Sequence, residues 1–205
     1  MFSKIAITSL AFVANCAPSS PSESSGGDTC TWVGGTYGQP LQCPEGYMVT
    51  GTCGSGATAD CNDYHTEMYC CDMSQSSNCN WIGGADGELV GCVSGQSMRG
   101  MCGSGGRADC RTTGDKTTFS ALCCDTSDYA LDTSKLTYML YSTYGVRILC
   151  NDGDVVIAGC GSGGFAACTG VNTEHGFTVE EVAEIKENVR VGQYNAAKCS
   201  AVVYN

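Results

Sequence analysis

Five cysteines in the order Cys43, Cys53, Cys61 and the tandem Cys70-Cys71 recur as Cys92, Cys102, Cys110 and Cys123-Cys124, and again in reduced form as Cys150, Cys160, Cys168 and Cys199. The intervals repeat more strictly than the residues between them. Thirteen positions separate Cys30 from Cys43 and Cys79 from Cys92, and in all three copies the next two steps are 10 and 8. A fixed interval of this kind marks one supersecondary unit used repeatedly. The chain therefore reads as three cysteine-rich modules, over residues 30–72, 79–125 and 136–205.

Each module has about 45 residues and few large apolar side chains, so burial alone does not offset its chain entropy. Disulfides, at about 2 to 4 kcal/mol each, supply the difference, and packing of neighbouring modules adds a shared core. With 17 cysteines in 205 residues, the chain belongs in an oxidising compartment. The N-terminus agrees. Lys4 precedes an apolar run over residues 5–14, too short to span a bilayer but suited to a signal peptide, read as residues 1–17. Residues 18–29 are rich in Pro, Ser and Gly and read as a flexible tether. Loss of Cys16 with the signal leaves 16 cysteines, an even number. The alternative is that Val13-Ala14-Asn15-Cys16 is a lipoprotein signal with Cys16 acylated at a cell surface, although Asn15 fits that signal poorly. Secretion is the expected fate, and contact with a membrane is expected only through a lipid on Cys16.

Module three narrows the pairing. Thr137 stands thirteen residues before Cys150, where a first cysteine is due, and Ser200 follows Cys199, where the tandem partner is due. Two partners of one bond vanish together, which predicts Cys30 with Cys71 and Cys79 with Cys124. A nested arrangement then joins Cys43 to Cys70, Cys92 to Cys123 and Cys150 to Cys199. The short loops close Cys53 with Cys61, Cys102 with Cys110 and Cys160 with Cys168. Many other pairings of six cysteines are possible.

Short runs such as Tyr47 to Thr50, Arg147 to Cys150 and Val155 to Ala158, separated by Gly, Asp, Asn and Ser, predict small antiparallel sheets and an all-β fold. One departure is expected. Between Cys168 and Cys199 lie 31 positions, against 9 and 13 for the matching steps of modules one and two. There Thr178 and Glu181 form a capping-box signal, and Val179, Val182, Ala183, Ile185 and Val189 recur at helical spacing. This predicts an inserted amphipathic helix over residues 179–189, sealing a module short of one bridge or serving a partner.

The run Cys43-Pro44-Glu45-Gly46-Tyr47-Met48-Val49-Thr50-Gly51-Thr52-Cys53-Gly54-Ser55, with the terminal Cys70-Cys71, resembles the cysteine-rich domain of resistin. Its threefold repetition resembles the C-terminal Cys/His-rich domain of the secreted proprotein convertase that binds the low-density lipoprotein receptor. The resemblance covers residues 30–205, more fully in the first two modules. It implies a small antiparallel, jelly-roll-like β-sandwich per module, three modules in a pseudo-threefold arrangement, and the same nested pairing. This chain has only His65 and His175 where the convertase domain is histidine-rich. A β-prism is the alternative fold, since it too repeats three times, but nested bridges fit it less well.

A net charge of −11 speaks against nucleic acid and anionic membrane surfaces as partners. The simplest reading of that acidity is solubility. The Cys-Gly-Ser-Gly turns at residues 53–56, 102–105 and 160–163 supply positive φ beside short disulfide loops, with an anion nest as the alternative. Asp60 and Asp109 each precede a cysteine, and Asn151-Asp152-Gly153-Asp154 has the oxygen-rich look of a calcium loop. That segment lacks the later ligands of one, and turn chemistry explains it more simply. Cysteines in an exported chain pair with each other before they bind zinc, so no metal and no cofactor is expected. Trp32 and Trp81 recur two residues after the first cysteine of their modules and read as module core, with sugar stacking as the alternative. Basic anchors are few, at Arg99, Arg107 and Arg111.

Neither histidine lies in a nucleophile pattern, and enzymatic activity is not expected. A secreted hydrolase is the remotest alternative. The leading expectation is a secreted, non-enzymatic recognition or adhesion protein that binds an extracellular protein or glycan. Asn62, Asp63, Tyr64, His65, Arg107 and Arg111, on or near the loops at residues 62–66 and 111–118, are the candidate binding residues. A disulfide-fixed loop loses little entropy on binding. The alternative is a coat or matrix component that self-associates.

Overall fold

The computed structural model describes residues 29–54, 59–114, 117–161, 166–171, 177, 179–188 and 195–205. The expected signal segment with Cys16, the tether up to residue 28, parts of the first and third Cys-Gly-Ser-Gly turns, residues 115–116 of the second expected loop, His175, Thr178 and Val189 lie outside the described residues.

The chain is built on sheets whose strand pairs are antiparallel, apart from the short parallel pairing of residues 170–171 with 88–89. The first repeat forms β1 (Cys30–Gly35), β2 (Leu41–Gln42), β3 (Tyr47–Gly54) and β4 (Thr66–Asp72). The second forms β5 (Ser76–Gly84), β6 (Glu88–Gly91), β7 (Gln96–Gly103) and β8 (Phe119–Thr126), followed by β9 (Tyr129–Leu131). The remainder forms β10 (Tyr138–Ser142), β11 (Ile148–Leu149), β12 (Val155–Gly161), β13 (Gly170–Val171), the helix α1 (Val179–Asn188), β14 (Asn195–Ser200) and β15 (Val202–Tyr204).

One turn recurs before β3, β7 and β12. Tyr47, Gln96 and Asp154 donate their amides to the carbonyls of Pro44, Val93 and Asn151 at 3.1, 3.0 and 3.0 Å. In each turn the third position is a glycine with positive φ, 85° at Gly46, 88° at Gly95 and 82° at Gly153, as such turns require. Asn151 to Asp154 is thus the third copy of a structural turn. Its carboxylate at Asp154 accepts the Tyr138 hydroxyl at 2.8 Å.

The strand orders are β1-β4-β3-β11, β5-β8-β7-β2 and β10-β14-β12-β6-β13, with β9 and β15 paired apart. Each of the three larger sheets takes a strand from another repeat. β2 pairs with β7, so that Leu41 faces Met101; β6 pairs with β12, so that Gly91 faces Ala158; β11 pairs with β3, so that Ile148 faces Thr52. The exchange closes in a cycle. The receiving strand in each case carries a bulge, at Arg99, Ile157 and Thr50. The carbonyls of these three residues accept the amides of Cys43, Cys92 and Cys150 at 2.8, 2.8 and 2.9 Å.

The interior is held in common. Its main cluster combines Val49, Met68 and Cys70 with Met98, Met101 and Phe119 and with Ile148, Val156 and Ala197, all nearly inaccessible to solvent. A satellite cluster joins Ile185 of α1 and Phe177 to Leu89, Cys160 and Cys168. Another surrounds Tyr129 with Met48 and Val155. No helix among the described residues is long and apolar enough to cross a membrane.

Eight disulfides are formed: Cys30–Cys71, Cys43–Cys70, Cys53–Cys61, Cys79–Cys124, Cys92–Cys123, Cys102–Cys110, Cys150–Cys199 and Cys160–Cys168. Bridges of this number point to an oxidising, extracellular type of environment.

Candidate recognition surface

Cys61 and Tyr64 exchange both of their backbone hydrogen bonds, at 2.7 and 2.9 Å. The two residues between them, Asn62 and Asp63, have φ of 45° and 80°. Two positive φ values in a two-residue loop give the tight hairpin turn that Asn and Asp tolerate best. Both side chains are exposed at its tip. The turn throws Tyr64 back across β1, where its ring lies on Gly34 so closely that a Cβ there would collide with it. Tyr64 remains 47% exposed.

His65 turns the other way. Its ring stacks on Tyr37, with centroids 3.8 Å apart and planes within 9°, and its Nδ1 lies 2.8 Å from Oδ1 of Asp60. The Arg107 guanidinium stands 5.7 Å from the centroid of the same Tyr37 ring. The structure therefore gathers His65 and Arg107 around Tyr37, with Tyr64 beside His65 in the chain. Arg111, although exposed, makes none of these contacts.

A larger assembly occupies the outer face of the first sheet. Along β1, Val33 packs on the common core, so by strand alternation Trp32 and Gly34 project outward. Trp32 faces Tyr69 across the ladder, their rings 4.9 Å apart and tilted by 34°. The placement of both tryptophans differs from the expected core position. Trp81 likewise lies opposite Leu122 on β8, while its neighbour Ile82 packs inward. A recurring framework residue tells that a position is shared, not which side of a sheet it occupies.

Arg147, just before β11, spreads its guanidinium 4.2 Å above the centroid of the Trp32 ring. Its Nε donates to Oε2 of Glu67 at 2.9 Å and its Nη2 to Oε1 at 3.0 Å. This is a two-pronged fork whose geometry fixes the plane of the guanidinium. Glu67 is buried, with a side chain only 1% exposed, whereas that of Arg147 is 34% exposed. The hydrogen bond to Glu67 and the carboxylate's charge raise the pKa of Arg147, outweighing its partial burial. Leu149, 51% exposed, completes the face by lying over Gly51.

No family model, curated protein or solved structure matches this chain.

The register shows how particular this face is. In the second sheet Trp81 recurs, but Leu122 stands for Tyr69, Ser120 for Glu67, and Thr117 lies against Gly83 in place of the tyrosine. In the third sheet the corresponding pair is Met139 and Lys198. Among the described residues, the rings of Tyr64 and Tyr69 and the Glu67–Arg147 fork thus have no counterpart in the other two sheets.

Cys53, Cys61 and Glu67 bring potential ligand atoms within 4.8 Å of one another. The two sulfurs are bonded to each other and both carboxylate oxygens are taken by Arg147, so the trio offers a metal no free valence. A separate open cleft of about 600 Å³ lies between Val93, Leu131, Leu136, Ile157 and Phe177. Its walls are mostly apolar, with the Lys135–Asp132 pair at 3.8 Å beside it.

Sequence reasoning selected Tyr64, His65 and Arg107 but missed Tyr37, Glu67, Tyr69 and Arg147. The one signal available was the alternation in Thr66-Glu67-Met68-Tyr69-Cys70, which sets Glu67 and Tyr69 on the face opposite Met68 and Cys70.

Proposed function

We propose that the chain is a secreted, non-enzymatic recognition or adhesion protein that binds an extracellular protein or glycan through side chains fixed on a disulfide-clamped scaffold. The observation that carries this reading is the outer face of the first sheet, where Tyr64, Trp32, Arg147 and Tyr69 stand together. Trp, Tyr and Arg are the residues most enriched where binding energy concentrates. Bridges at Cys30–Cys71, Cys43–Cys70 and Cys53–Cys61 hold the strands and the turn that carry them, so little freedom is lost on binding.

The architecture proposed for this scaffold is three resistin-like modules about a pseudo-threefold axis, the last carrying an inserted helix. Cyclic strand exchange and the recurring Gly46, Gly95 and Gly153 turns support the threefold arrangement. The interior to which all three sheets contribute is in keeping with sheets packed face to face in a β-sandwich-like fold.

Saturable binding of the labelled, oxidised protein to extracellular matrix or intact cells tests the function. Displacement by unlabelled protein and loss after reduction and alkylation are expected. Concentration-dependent assembly in light scattering, with no saturable binding, would instead establish a coat-forming role.

A further inference from the structure

We infer that the outer face of the first sheet is a binding site for a neutral oligosaccharide; this deepens the recognition reading above and rests on it. Three features of the face specify the ligand. The first is a low aromatic face. Tyr64 and Leu149 lie over Gly34 and Gly51, positions with no side chain to lift them, and between them the rings of Trp32 and Tyr69 meet at a tilt of 34° with the Arg147 guanidinium 4.2 Å over Trp32. Aromatic rings held low on a sheet, with polar tips beside them, offer a stacking surface to the C–H face of a sugar ring.

The second feature is the placement of polar groups within that face. Among the described residues, the hydroxyls of Tyr64 and Tyr69 and the Nη1 of Arg147 have no hydrogen-bond partner. The Glu67 fork holds the guanidinium plane so that these remaining donors point from a fixed position. Apolar surface with a few convergent, oriented polar groups is the general form of a small-ligand site, and aromatic residues with a polar tip combine both in one side chain.

The third feature is charge. Glu67 balances Arg147 within the site, and the whole chain carries −11. A sulfated or sialylated chain is repelled by the net charge and, among the described residues, finds no uncompensated cation on this face, which leaves neutral sugars. The framework does not account for the arrangement, since the matching positions of the other two sheets carry Leu122, Thr117 and Ser120 or Met139 and Lys198.

The chain has two tryptophans, one on this face and one at the matching place in the second sheet. Binding to an array of neutral, sialylated and sulfated oligosaccharides, followed by fluorescence titration of the bound species with Trp81→Phe, leaves Trp32 as the only reporter. A neutral oligosaccharide that shifts Trp32 emission is expected, with affinity unchanged by Trp81→Phe and weakened about tenfold or more by Tyr69→Ala and by Tyr64→Ala. Retained disulfides and circular dichroism identify the variants as folded, and Tyr69→Phe, which keeps the ring, should lose less than Tyr69→Ala. A silent array, a preference for sulfated or sialylated chains, or binding indifferent to both tyrosines overturns the inference. If the oxidised protein still binds matrix or cells saturably under those outcomes, the recognition reading stands and the glycan site alone falls.

Discussion

The backbone amide of Cys43 donates to the carbonyl of Arg99 at 2.8 Å, while the sulfur of Cys43 is bonded to Cys70 in its own repeat. One residue is thus fastened covalently to one sheet and hydrogen-bonded to the next. Cys92 with Ile157 and Cys150 with Thr50 repeat the relationship.

Close approach of the exchanged strands makes two glycines sensitive. A Cβ at Gly100 would collide with the Leu41 carbonyl, and one at Gly51 would lie 2.6 Å from the Ile148 carbonyl. Gly100→Ala and Gly51→Ala are each expected to destabilise the fold by about 1 to 3 kcal/mol, read as a lowered denaturant midpoint. The matching position in the third sheet is Ala158, which faces Gly91. Ala158→Gly should therefore lose no more than about 1 kcal/mol.

A bridge can be restored to the third repeat. Tyr138 faces Cys199 in the ladder, so the next step of that register sets Thr137 against Ser200. The bonds at the same step of the other repeats, Cys30–Cys71 and Cys79–Cys124, each span 4.1 Å between Cα atoms. The double variant Thr137→Cys with Ser200→Cys should oxidise spontaneously to a ninth bond. Stabilisation of up to about 4 kcal/mol is the chain-entropy limit, reduced by the bonds that already constrain this segment. Peptide mapping checks the bond and the thermal midpoint its effect.

Glu67 is buried and Arg147 partly exposed, so the two halves of the fork respond unequally. Arg147→Ala leaves a carboxylate buried without its counter-charge and should destabilise by about 2 to 3 kcal/mol, a value reduced for the solvent exposure of the guanidinium. Glu67→Met with Arg147→Met removes both charges and should recover most of that loss. Denaturant midpoints around the double-mutant cycle measure the coupling.

Two pH windows follow from the titrating groups. Burial pushes the Tyr129 phenol up to about 12, against the opposing pull of its hydrogen bond to Ser97 at 2.6 Å. A raised folded-state pKa means that its contribution is complete below the unfolded value, near 10, and disappears as pH climbs toward 12. The loss is on the order of 2 to 3 kcal/mol, and Tyr129→Phe should flatten the alkaline slope of the unfolding midpoint. At the acid end, the side-chain amides of Asn78 and Gln96 hold Asp125 below its ordinary 3.8, and the Gln75 amide does the same for Asp128. Their contribution is complete above 3.8 and declines as pH falls below it. Asp125→Asn should make the acid limb shallower.

The cysteine intervals exposed the parts of the fold that are written locally or covalently. A lost pair in sequence, at Thr137 and Ser200, corresponds to one step of a ladder, because Cys30 and Cys71 stand opposite each other in register. The exchanged strands left no such trace. Leu41–Gln42 and Ile148–Leu149 are two residues long, too short to show a period of two, and their partners are far along the chain. For the same reason the Glu67–Arg147 fork, across a sequence separation of 80, was illegible, whereas the Asn62-Asp63 turn was within reach of turn chemistry. Periodicity speaks for one element at a time; contacts between repeats are chosen by the tertiary arrangement.

The cycle of donated strands sets a rule for excision and duplication. A single third of this chain, expressed alone, would keep its own cross-links yet leave a naked row of amides and carbonyls where its neighbour's short strand belongs, an invitation to pair with another copy. Deleting any third strands the other two at once, one without its donor and one without its acceptor. The exchanged strands therefore tie the folding of each segment to that of the other two.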